Sequence, residues 1–366
     1  MNPLMQLPIL RLPFRAMEEV SKGMRSIIKM ISNRRNNKFP ILRLPFLAIE
    51  EIFKTMHPNE IINFSMISKR AKAVAKLMSF YSKYSIHLSV DKLMLDIELH
   101  GTKNVVSYIM KPSDEAKDGK IWEKEKNGYI KREVYNYSKD PIEEWKQLCK
   151  FVLEIFKKQT IDVFSINMGS FVDQNDSIID FLKTNVQSVN DCKIYQLDEE
   201  INVENFAYFL NNITIDNELA SWLHIENYYF DGKIPKNLNE LYIHNSRWVG
   251  YERLLEIDSK RVVLTSNQIT NEEWNLFLKK WIAKETHLNL EYLQFNYREI
   301  EEFRALVLHD IPHEVVDEAV KRVLKIYRDE KREVNGGIDI RRTDGKTATF
   351  FAHHAYEMQF LAMSVQ

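Results

Sequence analysis

At 366 residues, with 45% hydrophobic and 28% charged positions, the chain is long enough for two or more domains and apolar enough to bury a core. Its 51 lysines and arginines nearly cancel 52 aspartates and glutamates, so no chain-wide field holds nucleic acid. Two cysteines, Cys149 and Cys192, both among apolar residues, exclude a disulfide scaffold and fit a reducing compartment, the cytoplasm or the nucleus.

The first fifty residues contain ILRLPF twice, at Ile9–Phe14 and Ile41–Phe46, and the surrounding windows agree at ten of fourteen positions. The opening MNPLMQLPILRLPF is broken by prolines and Arg11 and does not read as a signal peptide. Nowhere does the chain reach the roughly 18 consecutive apolar residues of a membrane span. The basic run at 33–38 reads as a solvated linker.

Residues 39–80 read as three short helices. Phe46, Ile49, Ile52, Phe53 and Met56 recur at spacings of three and four behind Pro45, which suits a first helical turn. His57–Pro58–Asn59 stops that helix; Ile61, Ile62, Phe64, Met66 and Ile67 mark a second, and Ala71, Val74, Ala75 and Met78 a third. So small a unit exposes much of its apolar surface and calls for a partner.

From Tyr84 the pattern becomes one of strands, SIHLSV, LMLDIELHG and VVSYIM, then a charged loop over 112–128 and a strand at Ile130–Tyr137. Next comes the clearest helix, DPIEEWKQLCKFVLEIFKK, with Asp140 as N-cap, Pro141 at the first position and Glu143 completing a capping box.

Residues 160–310 alternate short strands (IDVFSINM, CKIYQL, SWLHIEN, NELYIHN, RVVLTSN, LEYLQFN) with amphipathic helices near 178–184, 203–212, 251–256, 272–282 and 300–308. Leu223-x-Ile225-x-Asn227 and Leu241-x-Ile243-x-Asn245 match, and Val262-x-Leu264-x-x-Asn267 lies close to a leucine-rich-repeat consensus. The expectation is an irregular strand–helix solenoid in which each asparagine satisfies backbone groups where the chain leaves a strand; an ordinary open α/β sheet is the alternative. A helix HEVVDEAVKRVLKIYR, broken by Asn335–Gly336–Gly337, and a hairpin turning at Asp344–Gly345 finish the chain.

No phosphate-binding glycine loop, nucleophile elbow or dinucleotide fingerprint occurs, so no catalytic, cofactor or metal site is assigned. Pro312 interrupts the helix that would align His309 with His313, and the strand neighbours His353 and His354 point to opposite faces. Trp145, Trp274 and Trp281 sit on apolar helical stripes and read as core. Trp222, Tyr228, Tyr229 and Trp248 lie near strand ends, where exposed aromatics would anchor a bound protein.

The segment LPFLAIEEIFKTMHPNEIINFSMISKRAK resembles the F-box, with Leu44–Pro45 opening the motif and Ser68–Lys69–Arg70 near its end. Many F-boxes carry a tryptophan after that basic pair, where this chain has Ala71–Lys72. DPIEEWKQLCKFVLEIFKKQTIDV, ITNEEWNLFLKKWI and GGIDIRRTDGKTATFF resemble the nematode F-box proteins with a type 2 F-box-associated domain. The resemblance implies a non-catalytic, substrate-recruiting subunit of a Skp–cullin–RING ubiquitin ligase, with no nucleic acid or membrane partner and no cofactor. In it Leu44, Pro45, Ile49, Ile52, Phe53, Ile61, Ile62 and Phe64 would contact the Skp adaptor, and the C-terminal domain would bind an unknown protein substrate. The alternatives are a scaffold or decoy with a non-functional F-box, and a hydrolase whose site has no motif.

The implied domains are a degenerate partial F-box duplicate with linker at 1–38, the F-box at 39–83, and an F-box-associated substrate-recognition domain at 84–366. The fold class is α+β / α/β: a three-helix F-box, a β-rich segment at 84–137, leucine-rich-repeat-like strand–helix repeats at 138–310, and a helix with a hairpin at 311–366.

Overall fold

The computed structural model describes residues 41–78, 84–92, 95–113, 121–196, 203–225, 230–355 and 358–366. The shortened first F-box-like copy falls outside them. The chain divides into two compact units, Met1–Ser82 with Glu154–Lys157, and Lys83–Leu153 with Lys158–Gln366.

In the first unit a 3-10 turn, Ile41–Arg43, leads into α1 (Phe46–Thr55), α2 (Pro58–Met66) and α3 (Lys69–Met78). Pro45 sits one residue ahead of α1, where its carbonyl accepts from Ala48 and Ile49 while its own missing N–H costs nothing. His57 both ends α1 and starts α2. Its Nδ1 accepts from the Asn59 N–H at 3.3 Å, and its own N–H donates to Glu60 Oε2 at 2.9 Å, a capping box with Pro58 at the first helical position. Phe53 and Phe64 meet edge to face, ring centroids 5.4 Å apart, and Ile52, Ile61, Ile62, Ala71, Ala75 and Met78 are buried.

The second unit is organised by one 15-stranded mixed sheet. It opens with β1 (Ser85–Val90), β2 (Leu95–His100), β3 (Asn104–Pro112), β4 (Ile121–Lys126) and β5 (Tyr129–Ser138). After the helix α4 (Pro141–Phe156) come β6 (Thr160–Asn167), α5 (Asn175–Asn185), β7 (Ser188–Tyr195), α6 (Val203–Asn212) and β8 (Ile215–Trp222). Next are β9 (Glu240–Ile243), α7 (Tyr251–Glu256), β10 (Arg261–Leu264), α8 (Asn271–Ile282), β11 (Tyr292–Asn296) and α9 (Ile300–Leu306). Four strands finish the unit: β12 (His313–Lys325), β13 (Lys331–Arg341), β14 (Thr347–Ala355) and β15 (Met358–Val365). Strands β6 to β11 lie side by side in chain order and all parallel, flanked by antiparallel β1–β2–β3 on one side and β15–β14–β13–β12 on the other.

Helices cover one face of this run. Phe209 of α6 stacks on Phe164 of β6, Trp274 of α8 on Phe295 of β11, and Trp145 of α4 donates its indole N–H to the Asp96 carbonyl at 2.9 Å. Cys149 and Cys192 are buried in this layer, where desolvation pushes both thiols well above their ordinary range. Asp140 caps α4 through the Glu143 N–H at 3.0 Å. The return half of the expected capping box is absent, because the Asp140 N–H bonds to Ser138 Oγ and Glu143 Oε1 accepts from Gln147.

Other sequence expectations also need correction. The charged loop at 112–128 contains β4, an exposed edge strand that pairs with β5 across Asn127–Gly128; their φ values of 53° and 74° are those of a type I′ hairpin. The strand read at SWLHIEN begins earlier: Leu219, not Leu223, aligns with Leu241, while Leu241 and Val262 do align. Of the three asparagines, Asn267 accepts from the Ile269 N–H, as expected, Asn245 instead adopts a left-handed conformation with φ 56°, and Asn227 falls outside the described residues.

The expected helix HEVVDEAVKRVLKIYR is strand β12, paired with β13. Its valines at helical spacing are β-branched, and an irregularity in the ladder between Val316 and Lys321 shifts the phase of the alternation. Asn335–Gly336–Gly337 does not break a helix but lies inside β13, opposite that irregularity. Gly337 has φ +118°, and a Cβ there would stand 2.8 Å from the Phe350 carbonyl oxygen. Gly337→Ala should therefore destabilise the protein by about 1–3 kcal/mol, read as a lower urea midpoint.

A second stability test lies under α8. His287 packs edge-on against Phe277 at 5.0 Å, and burial pushes its imidazole pKa down to about 4. The unfolded chain takes up this proton near pH 6.5 and the folded chain only near 4, so stability is full above about 6.5 and falls as pH drops through that window. At pH 5 the loss should be about 2 kcal/mol. His287→Gln should flatten that part of the pH profile in urea unfolding.

Candidate functional site

Two surfaces stand out, one in each unit. In the helical unit, Ile49, Ile52, Phe53, Ile61, Ile62 and Phe64 are buried within the chain, Leu44 is half-buried and Pro45 exposed. The apolar stripes read from the sequence are thus largely spent on the unit's own core. What remains outside comes partly from those same stripes: Leu47 is 72% and Ile67 74% exposed, and Phe46 and Met66 are more than half exposed. Arg70 donates to the Leu42 carbonyl at 3.1 Å, which ties the leading turn to the α2–α3 corner where Met66 and Ile67 lie. Leu44, Pro45 and that corner therefore share one end of the unit. Exposed leucine, isoleucine and phenylalanine thus form an apolar patch at one end of a small body.

In the sheet unit, the period-2 alternation that sends Cys192, Leu219, Leu241, Val262 and Leu293 toward the helices sends Lys193, Glu218, Ala220, Trp222, Tyr242, Val263 and Gln294 to the opposite face. The arm β12–β13 folds onto part of that face. Leu324 and Ile326 pack with Val263, Tyr292, Phe351 and Ala362. The arm leaves a cavity of about 750 Å³ beside it, floored by β7–β11 and walled by Ile326, Tyr327, Arg328, Glu330 and Arg332.

The cavity pairs aromatics with charge. Trp222 and Tyr242 lie 5.2 Å apart between ring centroids, and Tyr242 and Tyr327 6.1 Å. Glu218 accepts from the Tyr327 hydroxyl at 3.1 Å and from Arg328 at 2.8 Å. Burial, reinforced by the Glu218 charge, lifts the Tyr327 hydroxyl far above its usual range, so it stays a donor. Next to Glu218 across the β8–β9 ladder, Glu240 binds Arg261 at 2.9 Å, and Arg261 reaches Glu291 at 2.6 Å; burial nonetheless raises Glu240. His244 is held below its usual range by burial and by His224, and its Nδ1 lies 3.0 Å from Thr265 Oγ1. A concave, mainly apolar surface with a few fixed polar groups suits recognition of a protruding side chain.

Of the four aromatics expected to anchor a partner, Trp222 lines this cavity and is 38% exposed. Trp248 is only 3% exposed: it packs on Phe230 at 4.6 Å beneath the Arg253 guanidinium, so it belongs to the core and does not stand at a strand end in solvent. Tyr228 and Tyr229 fall outside the described residues. Sequence reading missed Glu218, Tyr327 and Arg328. Period 2 would have placed Glu218 opposite Leu219, but Tyr327 and Arg328 belong to the arm misread as helix. His309 and His313 do not converge, each Nδ1 facing a nearby carbonyl, Leu306 and Ile311.

Among the described residues no helix is long and apolar enough to cross a membrane. No curated protein and no solved structure matches the chain. Two family models do: the F-box domain over residues 41–83, which takes in α1–α3, and the F-box associated model over 229–295, which takes in β9, α7, β10 and α8 and ends within β11. The two are typical of adaptor-type proteins. The chain therefore carries an F-box domain and, in its C-terminal part, an F-box-associated domain.

Proposed function

We propose that this chain is a non-catalytic, substrate-recruiting subunit of a Skp–cullin–RING ubiquitin ligase, working in the cytoplasm or nucleus. The observation that carries this reading is the F-box and the F-box-associated segment in one chain. The F-box, taken as 39–83, docks on the Skp adaptor, and the domain from 84 to 366 takes a protein target for ubiquitination. We read its parallel strand–helix ladder as an irregular leucine-rich-repeat-like solenoid of the kind the nematode resemblance suggests, and the segment 1–38 as a worn duplicate of the F-box.

At the adaptor interface, Leu44 and Pro45 make direct contact together with exposed Leu47 and Ile67, while Ile49, Ile52, Phe53, Ile61, Ile62 and Phe64 hold the helices that present them. Burying one large apolar side chain contributes about 1.5–3 kcal/mol before association costs. A scaffold or decoy is the second reading, favoured by Ala71, fully buried at the position where many F-boxes carry tryptophan. Pull-down of adaptor with and without cullin separates the two.

Leu44→Ala with Pro45→Ala should abolish co-purification with a Skp adaptor while the circular dichroism spectrum stays unchanged; adaptor affinity equal to wild type would overturn the assignment. For the target site, Trp222→Ala should keep adaptor binding but lose the proteins that proximity labelling finds enriched under proteasome inhibition. An unchanged labelled set would remove the cavity from target recognition.

A further inference from the structure

β1 and β2 pair antiparallel in a register that sets His87 opposite Glu98 and Ser85 opposite His100. Directly opposed residues, and residues two apart, share a face of the sheet. His87, Glu98 and His100 therefore stand together on one face, and all three are half-buried. The two imidazoles stack with ring centroids 4.0 Å apart and planes 24° apart. His100 Nε2 lies 2.7 Å from Glu98 Oε2, and His87 Nε2 2.7 Å from Ser85 Oγ. One ligand atom from each of the three lies within 4.8 Å of the others.

We propose that His87, Glu98 and His100 form a binding site for a divalent transition-metal ion of the zinc class. Two imidazoles and one carboxylate are the donor set that suits such an ion, with a fourth position left for water or a ligand atom. Bonds of about 2.0–2.2 Å require the three donors to close in by small side-chain rotations, which half-exposed side chains on strands can make.

The nearby cation Lys131, whose charge also acts on Glu98, forms an ion pair with Glu133 at 3.1 Å. The site lies where the sheet changes sense, β1 pairing antiparallel with β2 and parallel with β6. A bound ion would clip β1 to β2 across that seam. The sequence alone hides the site, because ten residues separate His87 from Glu98 and only the strand register brings them together.

The test is titration of the purified full chain with Co²⁺, followed by visible absorption, and with Zn²⁺, followed by calorimetry and thermal unfolding. One equivalent should bind, Co²⁺ should give the intense bands of a low-coordinate site, and Zn²⁺ should raise the unfolding temperature. Glu98→Gln and His100→Gln should each weaken binding by at least about tenfold, since even outer-shell changes cost ~10–100-fold. Absence of saturable one-equivalent binding, or unchanged affinity in both variants, would overturn the proposal. Should the variants fail to fold, Ni²⁺ broadening of imidazole resonances in the wild-type chain reads the same site. Broadening at His87 and His100 supports it; broadening confined to other histidines overturns it.

Discussion

The second unit depends on a one-sided burial rule. Six consecutive parallel strands have helices on only one face, so every second residue must satisfy an apolar layer and every other one must not. Cys192–Lys193–Ile194 and Leu241–Tyr242–Ile243 follow it, whereas Glu218, Leu219 and Ala220 are all buried, the first and third on the face opposite the helices. A parallel sheet ordinarily buries both faces. Here the second face is divided: the arm β12–β13 covers part of it with Leu324 and Ile326, and the uncovered part holds paired charges and aromatics. The cavity is the boundary between those two solutions, which is why its floor is sheet and its wall is the arm.

The same economy governs the helical unit at smaller scale. Three helices of nine or ten residues cannot enclose all of their apolar side chains. Ile49, Ile52, Phe53, Ile61, Ile62 and Phe64 fill the interior, while Phe46, Met66 and Ile67 from the same apolar runs, together with Leu47, carry the excess. Apolar spacing therefore marks the core and the exposed excess alike, and only the fold separates them.

How much of this was legible in the sequence follows from which physical signals are local. The helices α1 to α3 and α4 were readable because caps and apolar spacing act within a few residues: His57–Pro58 and Asp140–Pro141 mark their own boundaries. The parallel strands were readable in number but not in phase. The polar start of β8, Asp216–Asn217–Glu218, disguised a strand because one of its faces is open, and a chance echo at Leu223 and Ile225 took its place. The arm was misread because a ladder irregularity can turn period 2 into an apparent helical spacing. The cavity and the His87–Glu98 pairing were illegible for one shared reason: both rest on register, a property of two strands and not of either alone.

The wall of the cavity also carries strain. Arg328 holds a left-handed backbone with φ 60° and ψ 32°, a conformation that costs a non-glycine residue roughly 1 kcal/mol. Such a conformation persists only where neighbours over-determine it. Here Tyr327 and Arg328 both bond to one carboxylate oxygen of Glu218, which is itself largely withdrawn from water. Removing Glu218 would leave the turn without its restraint, and removing Arg328 would leave a desolvated carboxylate with only the Tyr327 hydroxyl for a partner. The three residues therefore act as a unit, fixing the end of the arm against β8 and holding the aromatic row of Trp222, Tyr242 and Tyr327 in place. A pre-organised row of this kind lowers the ordering cost of binding, so the strain at Arg328 is offset where a partner side chain would enter.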